Sequence, residues 1–433
     1  MTRTRRVTAY GRPPAPVMTY DAQVRHADEL RRRGAYDDAV RAFNAIAQRY
    51  PDRSDAFANL GAILQAAGHP MQALQATTRA LELDPENVAT LINSAEIMKD
   101  FGEWSVVRDT YDVALSLQPN SAVVRYARAL HLLTLGSWHD GWREHEQRLL
   151  IPDLPLTTAR LSTPQWDGSP LDGRRILLDF EQGLGDQIMF ARFASTVAAR
   201  GGDVTLRCSA PLVPLLATLP GVSAVVSDTA PVPAHDVHAT LMSLPHLLDI
   251  DTTEQLPGAP YLRPVGECPL ALARENESGR VRVGLVWSGN PQHRNDARRS
   301  IAPSLLLPLL RAGNMEFVSL QRSNARTPLP ETLRGVVRDF GGALHTFNDT
   351  AHALQQLDLL ITVDTSVAHL AGALGVRTLL LIPFVPDWRW MISRSDTPWY
   401  NSVTLMRQES LFEWAPVISR VAARLQTLES KKR

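Results

Sequence analysis

Two polar turns, each joining a short apolar run to the start of a helix, hold the residues best suited to chemistry. The later turn, Asp364-Thr365-Ser366, follows the apolar run 359–363 and precedes a small-residue helix that Gly375 should end. Each of its three side chains could cap this helix. A helix N-terminus has free N–H groups and about half a positive charge, which together attract phosphate. The turn therefore indicates a phosphate or diphosphate site, although a capped αβ unit without a ligand has the same pattern.

The earlier turn reads Glu181-Gln182-Gly183-Leu184-Gly185-Asp186 and follows a strand predicted over 175–180. Its two glycines match half of the GxGxxG fingerprint of dinucleotide-binding proteins, but Ile188 takes the place of the third glycine. Asp186 would also repel a pyrophosphate at the start of the helix. The turn therefore argues against NAD. Asp186 is either a reactive acid facing a cleft or an ordinary acid in the first turn of a helix.

Composition limits the classes of protein and partner. A chain of 433 residues is too long for one core, so about two to four domains are expected. Lys+Arg and Asp+Glu are equal at 45 each, which favours neither a nucleic-acid nor a membrane-surface partner. No apolar run approaches the roughly 18 residues of a membrane span. Cys208 and Cys268 form no metal or disulfide pattern and residues 1–18 resemble a disordered basic tail, so we expect a cytoplasmic protein.

Residues 19–151 repeat with a step of 34. One set of glycines and two sets of small or apolar residues share this step: Gly34, Gly68, Gly102 and Gly136; Ala27, Gly61, Ala95 and Ala129; Ala39, Ala73, Val107 and Gly141. The pattern resembles the tetratricopeptide repeat, a helix–turn–helix unit whose small residues let paired helices pack closely. Four repeats are therefore predicted. The fourth departs most, with His145 and Arg148 at mostly smaller or apolar positions, as expected of a repeat that caps the array or contacts the next domain.

Arrays of this kind usually bind an extended peptide in a concave groove. Asn59 and Asn93 occupy the same first-helix position in successive repeats, whereas the other two repeats have Arg25 and Ala127 there. In the O-GlcNAc transferases, which this layout resembles, asparagines at this position hold a peptide backbone through amides that both donate and accept. The resemblance implies a protein or peptide acceptor at Asn59 and Asn93. Two solvated asparagines are the alternative.

The rest of the chain alternates strands and helices. A proline-rich linker is predicted over 152–172, followed by Rossmann-like halves over 173–265 and 280–430. In the second half, the basic loop 292–300 should lead into a helix that reaches about residue 312. Two doubly wound units in series have the carboxyl ends of their strands at a shared cleft, where ligands bind.

The two turns together resemble the family 9 glycosyltransferases, which include the ADP-heptose lipopolysaccharide heptosyltransferases. The resemblance extends from about residue 165 to 410. It implies the GT-B fold, two Rossmann-like halves facing a cleft. It also implies inverting, metal-independent transfer of a sugar from a nucleotide sugar, so neither a cofactor nor a metal is expected. By motif position, Asp186 would be the general base, and Asp364, Thr365 and Ser366 would hold the donor's sugar and diphosphate.

The chain departs from that family at two positions. Ser366 stands where the family often has glycine. A donor-binding lysine of the heptosyltransferases is replaced by arginine, either Arg299 or Arg294. Heptose specificity is therefore not implied.

The chemistry of sugar transfer agrees with the resemblance. A leaving diphosphate needs stabilisation, and a helix N-terminus with one or two arginines supplies it, at roughly 1.5–3 kcal/mol for each charge-assisted hydrogen bond. The acceptor hydroxyl needs a base within about 3 Å on the opposite side. An aspartate on the facing half would meet this need when the cleft closes.

Further donor-binding candidates border the two turns or end neighbouring strands: Gln182, Gly183, Gly185, Trp287, Asn290, Gln321 and His369. A buried tryptophan, a turn asparagine and a packed histidine would explain Trp287, Asn290 and His369 equally well. The aromatic segments 388–390 and 399–400 predict either a lid at the cleft edge or a core between the halves.

The sequence favours a cytoplasmic inverting glycosyltransferase whose repeats hold a protein acceptor, for instance a flagellin. The alternative is a repeat-based interaction scaffold whose nucleotide-binding domain is catalytically silent. An NAD-dependent oxidoreductase is a third hypothesis.

Overall fold

The computed structural model describes residues 18–152, 154, 156, 158, 161–269, 279–293, 295–311, 313–322 and 328–432. Arg294 and all but the last residue of the predicted basic tail lie outside the described residues. The chain divides into two compact units, Met1–Pro119 and Asn120–Arg433. This division falls between the third and fourth predicted repeats.

The described part of the first unit consists of helices that pack as successive pairs. They are α1 (Tyr20–Arg32), α2 (Tyr36–Arg49), α3 (Ser54–Ala66), α4 (Pro70–Leu83), α5 (Val88–Lys99) and α6 (Trp104–Leu117). Gly34, Gly68 and Gly102 follow the first helix of each pair with φ of 77°, 83° and 73°. Glycine adopts this left-handed conformation at least cost, which explains why it recurs at the step of 34. The unit is a helical array of the tetratricopeptide type.

The recurring small residues lie where paired helices touch. Ala27, Ala39 and Ala73 are fully buried. A Cβ added to Gly61 on α3 would lie 2.2 Å from the Thr77 hydroxyl oxygen on α4. The small side chains therefore set the distance between the helices of a pair.

The second unit begins with the fourth predicted repeat. This repeat comprises α7 (Ala122–Leu135), α8 (Trp138–His145) and a 3₁₀ turn (Glu146–Leu150). The Ser121 side chain caps α7, and Gly136 ends it in the left-handed conformation (φ 83°).

A four-stranded parallel sheet follows. Its strands are β1 (Arg175–Asp179), β2 (Asp203–Cys208), β3 (Val222–Ser227) and β4 (Val237–Thr240), in the order β3-β2-β1-β4. Its helices are α9 (Leu184–Phe190), α10 (Ala194–Ala199), α11 (Val213–Leu216) and α12 (Leu244–Leu247).

The second sheet is six-stranded and also parallel. Its strands are β5 (Val281–Val286), β6 (Met315–Ser319), β7 (Val337–Asp339), β8 (Leu359–Val363), β9 (Thr378–Ile382) and β10 (Val403–Arg407). Its helices are α13 (Asp296–Arg299), α14 (Phe347–Gln355), α15 (Ser366–Ala373) and α16 (Ala415–Lys432). The order β10-β9-β8-β5-β6-β7 is that of a doubly wound sheet, whose direction of winding switches between β5 and β8. Ligands of such sheets bind at the carboxyl ends of the strands beside this switch.

The helices of the second unit differ most from the sequence prediction. The helix expected after the basic loop is instead the short α13 and two 3₁₀ turns, Pro303–Leu306 and Leu309–Arg311, because Pro303 and Pro308 lack the N–H that a continuous helix needs. Its expected end, residue 312, lies outside the described residues. Across the residues described here, no helix combines the length and the hydropathy that crossing a membrane requires.

Gly372 on α15 gives a test of this packing. An added Cβ would lie 2.3 Å from Cγ of Tyr400, so we expect Gly372→Ala to lower the free energy of unfolding by about 1–3 kcal/mol through overpacking. Chemical unfolding measures the change. Gly342→Ala is the control, because no atom lies within 4 Å of its added Cβ, and it should change stability by less than about 0.5 kcal/mol. Equal effects of the two variants would contradict the packing described.

Candidate functional site

The two polar turns, far apart in sequence, meet in the structure. The first turn follows β1 and starts α9, and the second follows β8 and starts α15, which packs directly on α9. A Cβ added to Gly185 would lie 2.9 Å from the His369 ring and 3.5 Å from Cα of Ser366. The two helix starts are therefore as close as a glycine allows.

Asp186, in the first turn of α9, is bonded to a residue of the other half. Its carboxylate accepts from Nη2 of Arg389, whose Nη1 donates to Asp387 Oδ1 at 2.7 Å. The Asp186 side chain is 19% exposed. Burial raises the pKa of Asp186, while the charge of Arg389 opposes this rise. Asp186 is therefore more basic than an ordinary surface aspartate.

The rest of the first turn leads to Asp186. Gln182 is half-buried, and its carbonyl accepts from the Gln187 side chain at 3.0 Å. Gly183 is exposed, and its carbonyl accepts from the N–H groups of Asp186 and Gln187 at 3.1 Å. The surface-facing part of the turn is thus next to the carboxylate that could act as a base.

The second turn leaves its helix without a side-chain cap. Thr365 is the N-cap residue, with φ −145° and ψ 170°, but its hydroxyl makes no capping bond. The expected capping by these side chains is therefore not seen at Thr365, and the start of α15 keeps its affinity for an anion.

Asp364 carries a strongly perturbed carboxyl group. Burial and the nearby charge of Asp387 raise its pKa to about 6, against the attraction of Arg299 and Arg389. Burial by itself would also raise the pKa of Asp387. The charge and hydrogen bonds of Arg389 outweigh this effect, so the pKa of Asp387 is lowered. Asp364 can thus be neutral at mildly acidic pH while Asp387 stays ionised.

Arg299, on α13, is the described candidate for the predicted donor-binding arginine. Its side chain is 14% exposed and lies 3.7 Å from the Asp296 carboxylate. A Cβ on Gly289 would be 2.7 Å from Nη2 of Arg299, so a larger residue there would displace this guanidinium. Arg299 also attracts the Asp364 carboxylate electrostatically, which links this arginine to the second turn.

Of the candidates at strand ends, Gln321 supports the loop after β5. Its Oε1 accepts from the N–H groups of Trp287 and Ser288 at 3.1 and 2.9 Å, and its Nε2 donates to the Ser288 carbonyl at 3.1 Å. Trp287 is 1% exposed and belongs to the core. Asn290 is exposed and accepts from the N–H of Gln292, as a turn residue does.

His369 is packed. Its ring stacks on Trp390 at 5.2 Å between centroids, and its Nδ1 lies 3.0 Å from the Tyr400 hydroxyl. Burial, together with the charge of Arg389, lowers the pKa of His369 to about 3. A neutral, buried imidazole here fixes the spacing of α9 and α15.

Several buried polar atoms near the two turns have no hydrogen-bond partner within the described chain. They are Ser288 Oγ, Asp296 Oδ2, Arg299 Nε, Thr365 Oγ1 and Arg389 Nε. Buried polar groups are nearly always paired, so a concentration of unpaired ones needs an explanation. A polar ligand or ordered water would supply the missing partners.

The aromatic segments form an interior core within the second unit. Trp388, Trp390, Trp399 and Tyr400 are each less than 10% exposed. Trp142 on α8 makes edge contacts with Trp388 and Trp399 at 5.3 and 6.4 Å. These aromatic residues therefore join the fourth repeat to the two sheets.

Sequence reasoning missed Arg389 as a site residue and gave no partner for Arg148. Arg148, fully buried, donates from Nε and Nη2 to the two oxygens of Glu181 at 2.7 and 2.6 Å. It also donates to Glu146, Thr240 and Ser243. Glu181 opens the first turn, so an arginine of the fourth repeat holds the start of that turn. The one sequence signal for this role of Arg148 is its departure from the repeat pattern.

The first unit carries the two predicted groove asparagines. Asn59 on α3 and Asn93 on α5 are half-buried and lie on neighbouring first helices. A cavity of about 400 Å³ in the same unit is lined by α2, α3 and α4, with Asn44, Phe57 and Arg79 among its residues, and includes neither asparagine.

Comparisons with known proteins include a similarity that extends along most of the chain. No protein-family model matches it. The protein FlbA of Caulobacter vibrioides is 26% identical over 437 residues, which cover 92% of this chain and 71% of FlbA. The probable UDP-N-acetylglucosamine–peptide N-acetylglucosaminyltransferase SPINDLY of Hordeum vulgare is 30% identical over 114 residues, which cover 26% of this chain and 12% of SPINDLY. A solved tetratricopeptide repeat protein from Parabacteroides merdae matches 31% of this chain and 54% of its own, at 21% identity and a TM-score of 0.27.

The raised pKa of Asp364 predicts a pH dependence of stability. Between its ordinary pKa of 3.8 and about 6, the folded protein holds a proton that the unfolded chain releases, so stability falls as pH rises through this window. Asp364→Asn cannot undergo this loss. Its free energy of unfolding should therefore rise relative to the parent by about 0.5–2 kcal/mol between pH 4 and pH 7, as measured by chemical unfolding. A difference between the two proteins that is constant over this range would contradict the assignment.

Proposed function

We propose that the protein is an inverting, metal-independent glycosyltransferase of the GT-B fold that acts in the cytoplasm. It would move a sugar from a nucleotide sugar to a hydroxyl group on a protein or peptide. The observation that carries the proposal is the convergence of Asp186 with the uncapped start of α15, among buried polar atoms that lack partners.

In the proposed reaction, Asp186 removes the proton from the acceptor hydroxyl. The acceptor oxygen bonds to the anomeric carbon, and the bond from that carbon to the diphosphate oxygen breaks. The nucleoside diphosphate leaves with the electron pair. The raised pKa of Asp186 suits it to this role, since a better base takes a hydroxyl proton more readily.

The leaving diphosphate would lie at the start of α15. Thr365 and Ser366 have N–H groups and hydroxyls there, and Arg299 and Arg389 bring two positive charges. Each charge-assisted bond to phosphate is worth roughly 1.5–3 kcal/mol. Binding of the donor would require Arg389 to turn from Asp186 to the phosphates, which frees the base.

The acceptor would be a peptide held by the repeats of the first unit, with Asn59 and Asn93 as backbone contacts. Two observations support this part. The first unit is an array of the tetratricopeptide type, and the similar SPINDLY sequence is named for transfer to peptide.

The alternative function is a scaffold whose sheets are catalytically silent. It is favoured by the ion pair between Asp186 and Arg389, which occupies the candidate base. The two functions differ in whether a sugar nucleotide breaks this pair.

Thermal unfolding with added nucleoside diphosphates distinguishes the two functions. A ligand that binds only the folded state at 100 times its Kd stabilises by about 2.7 kcal/mol, which raises the Tm of a domain this size by several degrees. We expect such a shift with UDP, GDP or ADP in thermal unfolding, and its loss in Arg299→Gln. A shift with NAD alone would favour the oxidoreductase, and no shift with any of these compounds would favour the scaffold.

Asp186→Asn tests the assigned base. The amide cannot accept the hydroxyl proton, so sugar transfer or donor hydrolysis should fall by at least about 100-fold while nucleoside diphosphate binding persists. Asp203→Asn, at the exposed start of β2, is the matched control and should keep full activity. Unchanged activity in Asp186→Asn, measured as released nucleoside diphosphate, would exclude Asp186 as the base.

A further inference from the structure

A second cavity, distinct from the one in the first unit, lies at the carboxyl end of β10 and shares no lining residue with the two turns. It has a volume of about 660 Å³ and is bounded by residues 392–395, the end of β10 and α16. Four arginines line it: Arg394, Arg407, Arg420 and Arg424. Among its described lining residues the one acid is Glu409, and its carboxylate is bonded to Arg420 Nη1 at 2.6 Å. Arg394 is likewise ion-paired with Asp396, at 2.7 Å from its Nη2. The net positive charge of the lining therefore comes from Arg407 and Arg424.

Arg407 is held at this cavity by two backbone carbonyls. Its Nε donates to the Arg394 carbonyl at 2.8 Å and its Nη2 donates to the Trp390 carbonyl. These carbonyls orient the guanidinium but bring no full negative charge. Burial lowers the pKa of Arg407 to about 10, and no carboxylate of the described chain is ion-paired with it. A partly buried cation of this kind is stabilised by a counter-ion.

Gln408 is the second observation at this cavity. Its residue is 5% exposed, and its Oε1 accepts from the Phe384 N–H at 3.0 Å. Its Nε2 has no hydrogen-bond partner in the described chain. A buried amide N–H without an acceptor is unfavourable, and Gln408 lines the same cavity as Arg407.

We propose that this cavity binds a phosphate group, with Arg407, Gln408 and Arg424 as its donors. Arg424 is exposed on α16, so its flexible side chain can turn toward the bound group. Several guanidinium groups around one cavity suit a doubly charged oxyanion, which accepts planar pairs of N–H donors. None of the described lining residues is an aromatic residue on which a nucleobase could stack. The proposed recognised group is therefore the phosphate itself, free or as an ester of a small molecule.

Isothermal titration calorimetry tests the proposal. The full chain is titrated at low ionic strength with inorganic phosphate and, separately, with glucose 6-phosphate. Gln408→Glu keeps the acceptor for Phe384 but replaces the N–H donors by a negative oxygen, and Arg424→Glu reverses an exposed charge. Each should weaken binding by at least about tenfold. Arg108→Glu makes the same reversal at an exposed position on α6 and should leave affinity unchanged. Circular dichroism without phosphate shows whether each variant is folded. If Gln408→Glu does not fold, Arg424→Glu alone tests the proposal.

Arg299→Gln separates this cavity from the proposed donor site. Phosphate binding that survives in Arg299→Gln and is lost in the two cavity variants supports the proposal. The proposal is overturned if binding is lost only in Arg299→Gln, if all charge variants weaken it equally, or if the parent binds neither probe at millimolar concentration. Tighter binding of glucose 6-phosphate than of inorganic phosphate would identify the source as a phosphate ester, and the reverse would identify the free ion.

Discussion

The close approach of α9 and α15 at Gly185 is the contact on which the rest of the candidate site depends. A glycine on one helix faces His369 and Ser366 on the other, so the first turns of both helices share one small volume. Arg192 supports this contact from behind, because its Nη1 donates to the Trp399 carbonyl at 2.7 Å and its Nε to the Met189 carbonyl at 3.0 Å. Each sheet thereby presents the end of one strand, β1 or β8, to the other.

Acids and arginines from both halves of the second unit meet at this contact. Asp186, Asp364 and Asp387 are opposed by Arg299 and Arg389, so the local excess is negative before a ligand is counted. Burial is the main cause of the raised pKa values of Asp186 and Asp364, and the charge of Asp387 adds to the rise. Arg389 is the central member, since it contacts Asp186 and Asp387 and interacts with Asp364. An anionic ligand would compete with these carboxylates for the two arginines.

The sequence predicted what depends on local pattern. The step of 34 residues, the left-handed glycines and most of the strands follow from hydrophobic period and turn chemistry, and β8 and β2 have their predicted bounds. The three-residue β7 was missed because so short a run carries little periodicity, and the helix expected up to residue 312 was wrong because two prolines interrupt it.

Within the site, the sequence could identify Asp186 and the Asp364-Thr365-Ser366 turn from glycine and capping patterns. It could not identify Arg389 as the partner of Asp186, because that contact joins residues of two different sheets. The sequence also could not show that Gln321 supports the loop after β5. A polar side chain at the end of a strand can bind either a ligand or a neighbouring backbone, and the sequence does not distinguish the two. Contacts of this kind are set by how the sheets pack, which no local pattern records.

The buried bonds of Arg148 bear on how this chain could be recombined with other proteins. An engineer who wished to give the α/β unit a new repeat array would be tempted to cut after residue 151, where the sequence period ends. That junction would remove the guanidinium that neutralises Glu181, leaving an unmatched charge in the interior. The junction should instead lie upstream of Asn120, so that the fourth repeat and its Arg148 stay with the two sheets.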